Sequence, residues 1–368
     1  MKILASVSPG EVRVAAVEAG ALVDYALWRP GLPDGVGDLY RGRITARLPA
    51  LGGAFVSLGE NEGFLPERDG GTAPVGTVLG VRVVRAAQGG KGVRLAASPA
   101  EAGPVGAGPV GLIARGPGAV ERLAALHPTA EIAADDAGLL ASLRAVLGER
   151  LALVPRAFDD DIAAQVADLA SFDVALPLGA HLTIHPTAAV TAIDLDLAGG
   201  AEQRGGKRGA HEAVNRAAIP ALAREIRLRN LAGGIIIDFA GLSVKRRATL
   251  GPALAAALAP DPLAPRFLGF SALGLAEVLR PRVHPPLHEL LGTPHAQALA
   301  ALRAAAASVA ADPATALCLT AAPAVIRALQ ADSVATEQFL HRAGRKLALR
   351  EDRTLPPHAW KLAPQEQR

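Results

Sequence analysis

The sequence predicts an α/β chain of several domains, with a small β-barrel inserted near the amino terminus and a small α/β module at the tail. Three observations predict it. Two β-branched runs, residues 190–196 and 233–239, end in acids and flank a helix-length basic stretch. Five short strand-like runs crowd residues 40–95, and strand-like and helix-like runs alternate from about residue 295. A length of 368 residues is a prior for two or three domains, each large enough to bury a core.

Residues 1–28 alternate as two or three short strands, turned at Pro9-Gly10 and Ala19-Gly20. Runs 40–48, 53–58, 63–66, 77–84 and 92–95 are then separated by Gly, Pro and charged turns, the pattern of an OB-type barrel. Such barrels hold single-stranded nucleic acid by stacking bases beside basic residues. Phe55 and Phe64 are therefore candidate platforms, with Arg41, Arg43 and Lys91 as candidate phosphate contacts. Composition alone points instead to both rings as barrel core. Residues 99–118, rich in Gly, Pro and Ala, read as a linker. Helical spacing marks 119–126, 137–147 and 158–169, and residues 174–178 and 181–184 form a hairpin leading into the first acidic run. Residues 267–282 read as strand, turn and helix. The tail reads as a helix, a strand at 316–319, a helix at 323–329 and a strand near 346–350.

The acidic runs have the length of buried parallel strands, and the segment between them can cross back as a helix. Right-handed crossover makes such strands near neighbours and brings Asp194 and Asp238 to one carboxyl-terminal edge, where α/β sheets keep their ligands. Pro220 would interrupt a longer helix, so the regular helix is expected to start near Ile219 and run for about ten residues. Two close carboxylates repel unless a cation lies between them, and Mg²⁺ or Mn²⁺ is the natural one. Ordinary strand caps are the alternative. Residues 201–250 carry ten Lys or Arg against four Asp or Glu, in a chain whose net charge is only +3. That local excess suits a polyanionic phosphodiester, or else a solvated helix face.

Half of the residues are hydrophobic but only 3% are aromatic, and alanine supplies much of the apolar content. The longest apolar stretch, residues 296–311, contains Arg303 and is too short to span a bilayer. The first residues lack the apolar centre of a secretory signal. A cytoplasmic protein without membrane association is expected. The single Cys318 excludes an intramolecular disulfide and a multi-cysteine zinc site. Residues 269–274 miss the nucleophile-elbow spacing by one, which leaves serine hydrolase chemistry unsupported.

With these motifs in order, the chain resembles the ribonuclease E/G family of bacterial endoribonucleases. Tyr40-Arg-Gly-Arg-Ile-Thr45, Ala54-Phe-Val-Ser-Leu-Gly59 and Gly63-Phe-Leu-Pro66 resemble its S1-type domain. Ile193-Asp-Leu-Asp196, Arg224-Glu-Ile-Arg-Leu-Arg-Asn230, Gly233-Gly-Ile-Ile-Ile-Asp-Phe239 and Phe270-Ser-Ala-Leu-Gly-Leu-Ala-Glu277 resemble its catalytic core. The resemblance implies an RNase H-like subdomain from residues 1–35 and 119–186, with an S1-type OB domain at 36–98 inserted in it. It further implies a shortened 5′-sensor remnant at 99–118, a DNase I-like catalytic subdomain at 187–294 and a small carboxyl-terminal domain at 295–368.

The activity implied is Mg²⁺-dependent cleavage of single-stranded RNA to 5′-phosphate and 3′-hydroxyl ends, in RNA processing and decay. Asp194 and Asp238 match the family's metal-binding aspartates. Asp196 falls where the family usually has a supporting asparagine, so a third carboxylate is expected to tighten metal binding or raise a neighbour's pKa. Phe55, Phe64 and Lys91 match RNA-holding residues, and Arg115 matches the arginine of a pocket for RNA 5′-monophosphate. That arginine's usual threonine neighbour is Gly116 here, and much of the segment that builds the pocket is missing. The family's Cys-Pro-x-Cys pair is also missing, because Leu290-Leu-Gly-Thr-Pro-His295 runs straight into the tail. No zinc and no zinc-linked dimer are expected, while another mode of oligomerisation stays open. The alternative reading is an RNA-binding or assembly factor with degenerate nuclease activity, and a DNase is a third.

Overall fold

The computed structural model describes residues 1–98, 108–197 and 207–365. They fall into two compact units: Met1–Asp34, Pro117–Ala163 and His288–Arg368 form one, and Gly35–Gly116 with Ala164–Leu287 the other.

The chain opens with β1 (Lys2–Ser8), β2 (Glu11–Glu18) and β3 (Ala21–Trp28), an antiparallel meander turned at the two expected places. In the second unit it builds β4 (Leu39–Leu48), β5 (Gly53–Ser57), β6 (Glu62–Pro66), β7 (Val78–Arg85) and β8 (Val93–Ala97). These follow the order β5-β6-β8-β7-β4, and pairing of β4 with β5 closes the ring into a five-stranded barrel. Residues 99–107 of the expected linker lie outside the described residues. The remainder supplies β9 (Gly111–Ala114), which adds to β4.

In the first unit β10 (Glu131–Ala134) and β11 (Leu151–Leu153) pair in parallel beyond β1. The second unit's other sheet comprises β12 (Asp173–Ala175), β13 (Ala180–Pro186), β14 (Val190–Leu197), β15 (Gly233–Phe239), β16 (Arg266–Phe270) and β17 (Ala276–Arg280), in the order β12-β13-β14-β15-β17-β16. The tail gives β18 (Leu317–Ala321), β19 (Ala348–Glu351) and β20 (Trp360–Pro364), covered by helices Pro294–Ala311, Pro323–Ala331 and Ser333–Ala343. Buried Glu11 on β2 accepts from Arg29 and from Arg303 of the first of these helices.

Three elements differ from the sequence reading. Residues 276–280 form a strand, although Leu-Ala-Glu-Val-Leu suits a helix, because Ala276, Val278 and Arg280 are buried alternately and β17 is paired on both edges. Tertiary pairing overrides local propensity there. The crossover helix runs Lys207–Leu228 with Pro220 inside it. Pro220 is exposed while Ala218, Ile219, Leu222 and Ile226 are buried, so the carbonyl that loses its partner faces water and the packed face is undisturbed. Lastly, β12 and β13 pair into the sheet that carries the acids, so that sheet begins before residue 187. The pairing β13 makes with β14 along its whole length fixes this membership.

Candidate active site

β14 and β15 are parallel neighbours in register from Val190 opposite Gly234 to Asp194 opposite Asp238. The helix Lys207–Leu228 connects them. Side chains alternate across a strand. Ile193, Leu195, Ile235, Ile237 and Phe239 are fully or almost fully buried against this helix and its neighbours. Each such residue contributes roughly 1.5–3 kcal/mol of burial. The same alternation turns Asp194 and Asp238 to the opposite, half-exposed face at the carboxyl end of the sheet. Adjacent strands lie about 4.8 Å apart, so the two carboxylates are close neighbours.

The pair is electrostatically strained. Burial, then the charges of Asp196 and Asp238, push the Asp194 carboxyl above its usual value, with partial relief from His185 and Arg247. Asp238 forms an ion pair with Arg247, which is largely buried. The guanidinium is fixed by the carbonyls of Leu242 at 2.9 Å and Gly274 at 3.2 Å. Asp196 lies two residues along β14 on the same face, and is exposed.

The turn after Asp238 is held by residues that the sequence reading passed over. Asn215, fully buried on the crossover helix, donates to the Ala240 carbonyl at 2.9 Å and to its own helix at His211. Gly241 takes a left-handed φ of +62° against the His211 ring, where a side chain would collide. An amide on the apolar stripe Asn215, Ile219, Leu222, Ile226 was the available signal. Within the basic stretch between the two acids, Arg229 is buried in an ion pair with Glu225 and donates to carbonyls of Asp168 and Ser171. It fastens the fold instead of facing a ligand.

Among the described residues no group of three or more His, Cys, Asp or Glu side chains is placed to hold a metal ion. Mg²⁺ does not need one, since it is commonly held by one or two carboxylates with water and substrate phosphates as its other ligands. The donor set fits: two hard carboxylates stand in register, and burial followed by the charges of Asp196 and Asp238 holds one of them, Asp194, above its ordinary pKa. Asp196 is not brought into a three-acid cluster.

On the barrel, Ala54, Val56 and Leu65 fill the interior, and Phe55 and Phe64 stand outside it, partly exposed. Their ring centroids are 5.9 Å apart, edge to face at 75°. The reading of both rings as barrel core is thereby corrected; the alternation of β5 and β6 puts them outward. Gly53 permits the arrangement, because the Phe64 ring lies where a Cβ would be. Lys91 is exposed at the tip of the β7–β8 hairpin, and its backbone closes the turn on Gln88. Arg115 donates to buried Asp38 at 2.6 Å, and the same carboxylate receives the Gly116 backbone N–H at 2.7 Å. Gly116 packs against the backbone of Val36 and Gly37, so a threonine there would clash.

Residues 150–283 match the model of the Ribonuclease E/G family. Among curated proteins, the chain is 35% identical to Ribonuclease E of Synechocystis sp. (strain PCC 6803) over 122 residues, 33% of this chain and 18% of that protein. It is 37% identical to Ribonuclease G of Escherichia coli (strain K12) over 123 residues, 32% of this chain and 24% of that protein. With Ribonuclease G of Haemophilus influenzae it shares 39% identity over 70 residues, 19% and 14% of the two chains. The aligned part spans less than a quarter of the length of each of these relatives.

Proposed function

We propose, from the premise that residues 150–283 belong to the ribonuclease E/G family, that the chain is a metal-dependent endoribonuclease acting on single-stranded RNA. One observation carries this reading: Asp194 and Asp238 in register at the carboxyl edge of a parallel strand pair. They would hold Mg²⁺, or Mn²⁺, which when bound polarises the scissile phosphate and helps generate hydroxide. The products would carry 5′-phosphate and 3′-hydroxyl ends. The chain's own residues have separable tasks. Asn215 and Arg247 fix the turn after Asp238 and so orient its carboxylate. Phe55 and Phe64 offer two aromatic surfaces to unpaired bases, and stacking there would hold the strand without reading its sequence. Lys91 would meet the phosphate backbone, and Arg115, steadied by Asp38, would meet a terminal phosphate.

In this reading β1–β3 with β10 and β11 correspond to the family's RNase H-like subdomain, the barrel to its S1-type domain and the sheet bearing the acids to its DNase I-like subdomain. Among the described residues no helix is long and apolar enough to cross a membrane, in keeping with a proposed cytoplasmic site of action. Oligomerisation, if present, would not run through zinc.

A second reading, an RNA-binding or assembly factor that no longer cleaves, is favoured by one observation: Arg247 already neutralises Asp238. A gel assay with a single-stranded RNA oligomer, Mg²⁺ and a chelator control separates the two. Metal-dependent cleavage lost in Asp194→Asn supports the nuclease. Binding without cleavage in the unmutated chain supports the second reading.

A further inference from the structure

A second charged site lies in the same unit, at the opposite edge of the sheet that carries the acids. Between the barrel and the amino-terminal end of β15 is a cavity of about 540 Å³ whose lining includes Arg68, Arg85, Arg94, Arg266, Arg280 and Arg282. Among the described residues no carboxylate lines it. Two acids behind the wall answer three of the six: Asp261 holds buried Arg280 at 2.7 Å, and Asp69 lies 3.4 Å from Arg94 and 3.6 Å from Arg68. Arg266 and Arg282 have no hydrogen-bond or ion-pair partner among the described residues. Arg85 donates to the Gly92 carbonyl at 2.9 Å, but its buried Nε has no partner. Burial, and the nearby charges of Arg94 and Arg282, hold the Arg85 guanidinium below the usual arginine range. Gly233, at φ +86°, lets the Arg282 guanidinium lie against bare backbone, where any side chain would collide.

Barrel register ties this cavity to the aromatic pair. Phe55 stands opposite Phe64, Phe64 opposite Arg94, and Arg94 opposite Arg85 across a bulge at Val84. Residues opposite one another share a face. Gly63 faces inward onto the Leu95 side chain, so Phe64 and Arg94 face out. The outer surface thus carries an unbroken row, Phe55, Phe64, Arg94, Arg85, running from stacking surface to arginine cavity. Six guanidiniums answered by only two acids suit phosphate, which each can bind bidentately.

We propose that the arginine cavity is a phosphate-backbone subsite for single-stranded RNA, in which a strand stacked on Phe55 and Phe64 passes its phosphates to Arg94, Arg85 and Arg282. The inference rests on the RNA reading of the barrel and goes beyond it by naming an anchor apart from the acids. Gly233 and Asp238 are separated along β15 by five residues, about 17 Å of strand, so a phosphate anchored here stands away from the reacting one.

The test is binding of a fluorescently labelled single-stranded RNA oligomer to the full chain by anisotropy, in chelator, across a salt series. Arg282→Gln loses no internal partner and is expected to weaken binding roughly fivefold, with the salt slope shallower by about 0.7 for the lost phosphate contact. Arg282→Lys, which keeps the charge, should recover most of the affinity, and Arg327→Gln, an exposed site on helix Pro323–Ala331, should match the unmutated chain. Arg266→Gln, at the exposed rim, provides a second variant should the first melt at lower temperature. Unchanged affinity and slope in Arg282→Gln and Arg266→Gln, with the unmutated chain binding RNA, would overturn the subsite and leave the RNA reading standing. No RNA binding by the unmutated chain would overturn both.

Discussion

At one end of β15 Asp238 lies level with Asp194, while at the other Gly233 packs against the Arg282 guanidinium. Both ends crowd like charges, and they do so differently. Asp194 is raised in proton affinity, and Asp238 is ion-paired with Arg247. The arginines are many, partly answered from behind by Asp69 and Asp261, and open to a cavity. A like-charged cluster costs stability in the absence of ligand, so each end is poised for the opposite charge. The acid end suits a small hard cation; the arginine end suits an extended polyanion. The difference separates chemistry from binding along one strand, and variants can break or sharpen the separation.

The largest effect is expected from Asp238→Asn. Loss of a metal ligand should lower cleavage by about a hundredfold or more, since a metal contributes several kcal/mol to transition-state stabilisation. RNA affinity measured in chelator should stay within about twofold of the unmutated value on that reading. If affinity collapses with cleavage, the two ends are not separable.

Phe64→Ala tests the other end and should do the reverse. RNA affinity should fall by about 1–3 kcal/mol, the range for loss of one stacked base, as read by anisotropy. Cleavage at saturating RNA should change less than binding does.

Arg247→Gln comes next. In chelator it leaves Asp238 without its counter-ion beside a strained Asp194, and thermal unfolding should show a loss of about 1 kcal/mol. Saturating Mg²⁺ should narrow the difference between variant and unmutated chain, because the ion replaces the missing charge. An equal deficit with and without Mg²⁺ would argue that Arg247 acts only as a fastener for Leu242 and Gly274.

Asp196→Asn carries the smallest effect and has a definite sign. Asp194 is held above its ordinary pKa, second among the causes being Asp196. A raised carboxyl keeps its proton in the folded chain at pH values where the unfolded chain has lost it, so its contribution to stability is present at low pH and is lost as pH rises through the folded value. Metal binding needs the carboxylate, so cleavage should fade as pH drops through that same raised value. Removing Asp196 lowers the proton affinity of Asp194 and should move the acid limb of the pH profile to lower pH. An unmoved limb would detach Asp196 from the site.

The acid end was legible because its logic is local: period-two burial, an acid closing each run and the handedness of a βαβ crossover place Asp194 beside Asp238. The clamp on that end was not. Asn215 reads as one polar residue in a helix until the Ala240 carbonyl is folded against it, and Arg247 was one of three basic residues with nothing to single it out. The helix expected over residues 276–280 failed because pairing on two edges outweighs the propensity of Leu-Ala-Glu-Val-Leu. Pro220 misled in the other direction, since its cost falls on the solvent side of the helix. The arginine end was the least legible. Its residues come from β7, β8, β16, β17 and the segments after β6 and β17, and they meet only through barrel closure and the bulge at Val84, neither of which leaves a local trace.

The central claim, that the in-register acids work on RNA through a divalent cation, is tested most directly by incubating the purified chain with a defined single-stranded RNA oligomer in Mg²⁺ and analysing the ends formed. The account predicts internal cleavage to 5′-phosphate and 3′-hydroxyl ends, abolished by chelator and by Asp194→Asn. RNA left intact in Mg²⁺ and in Mn²⁺ while a control nuclease cuts it, or cleavage that survives both chelator and Asp194→Asn, would contradict it.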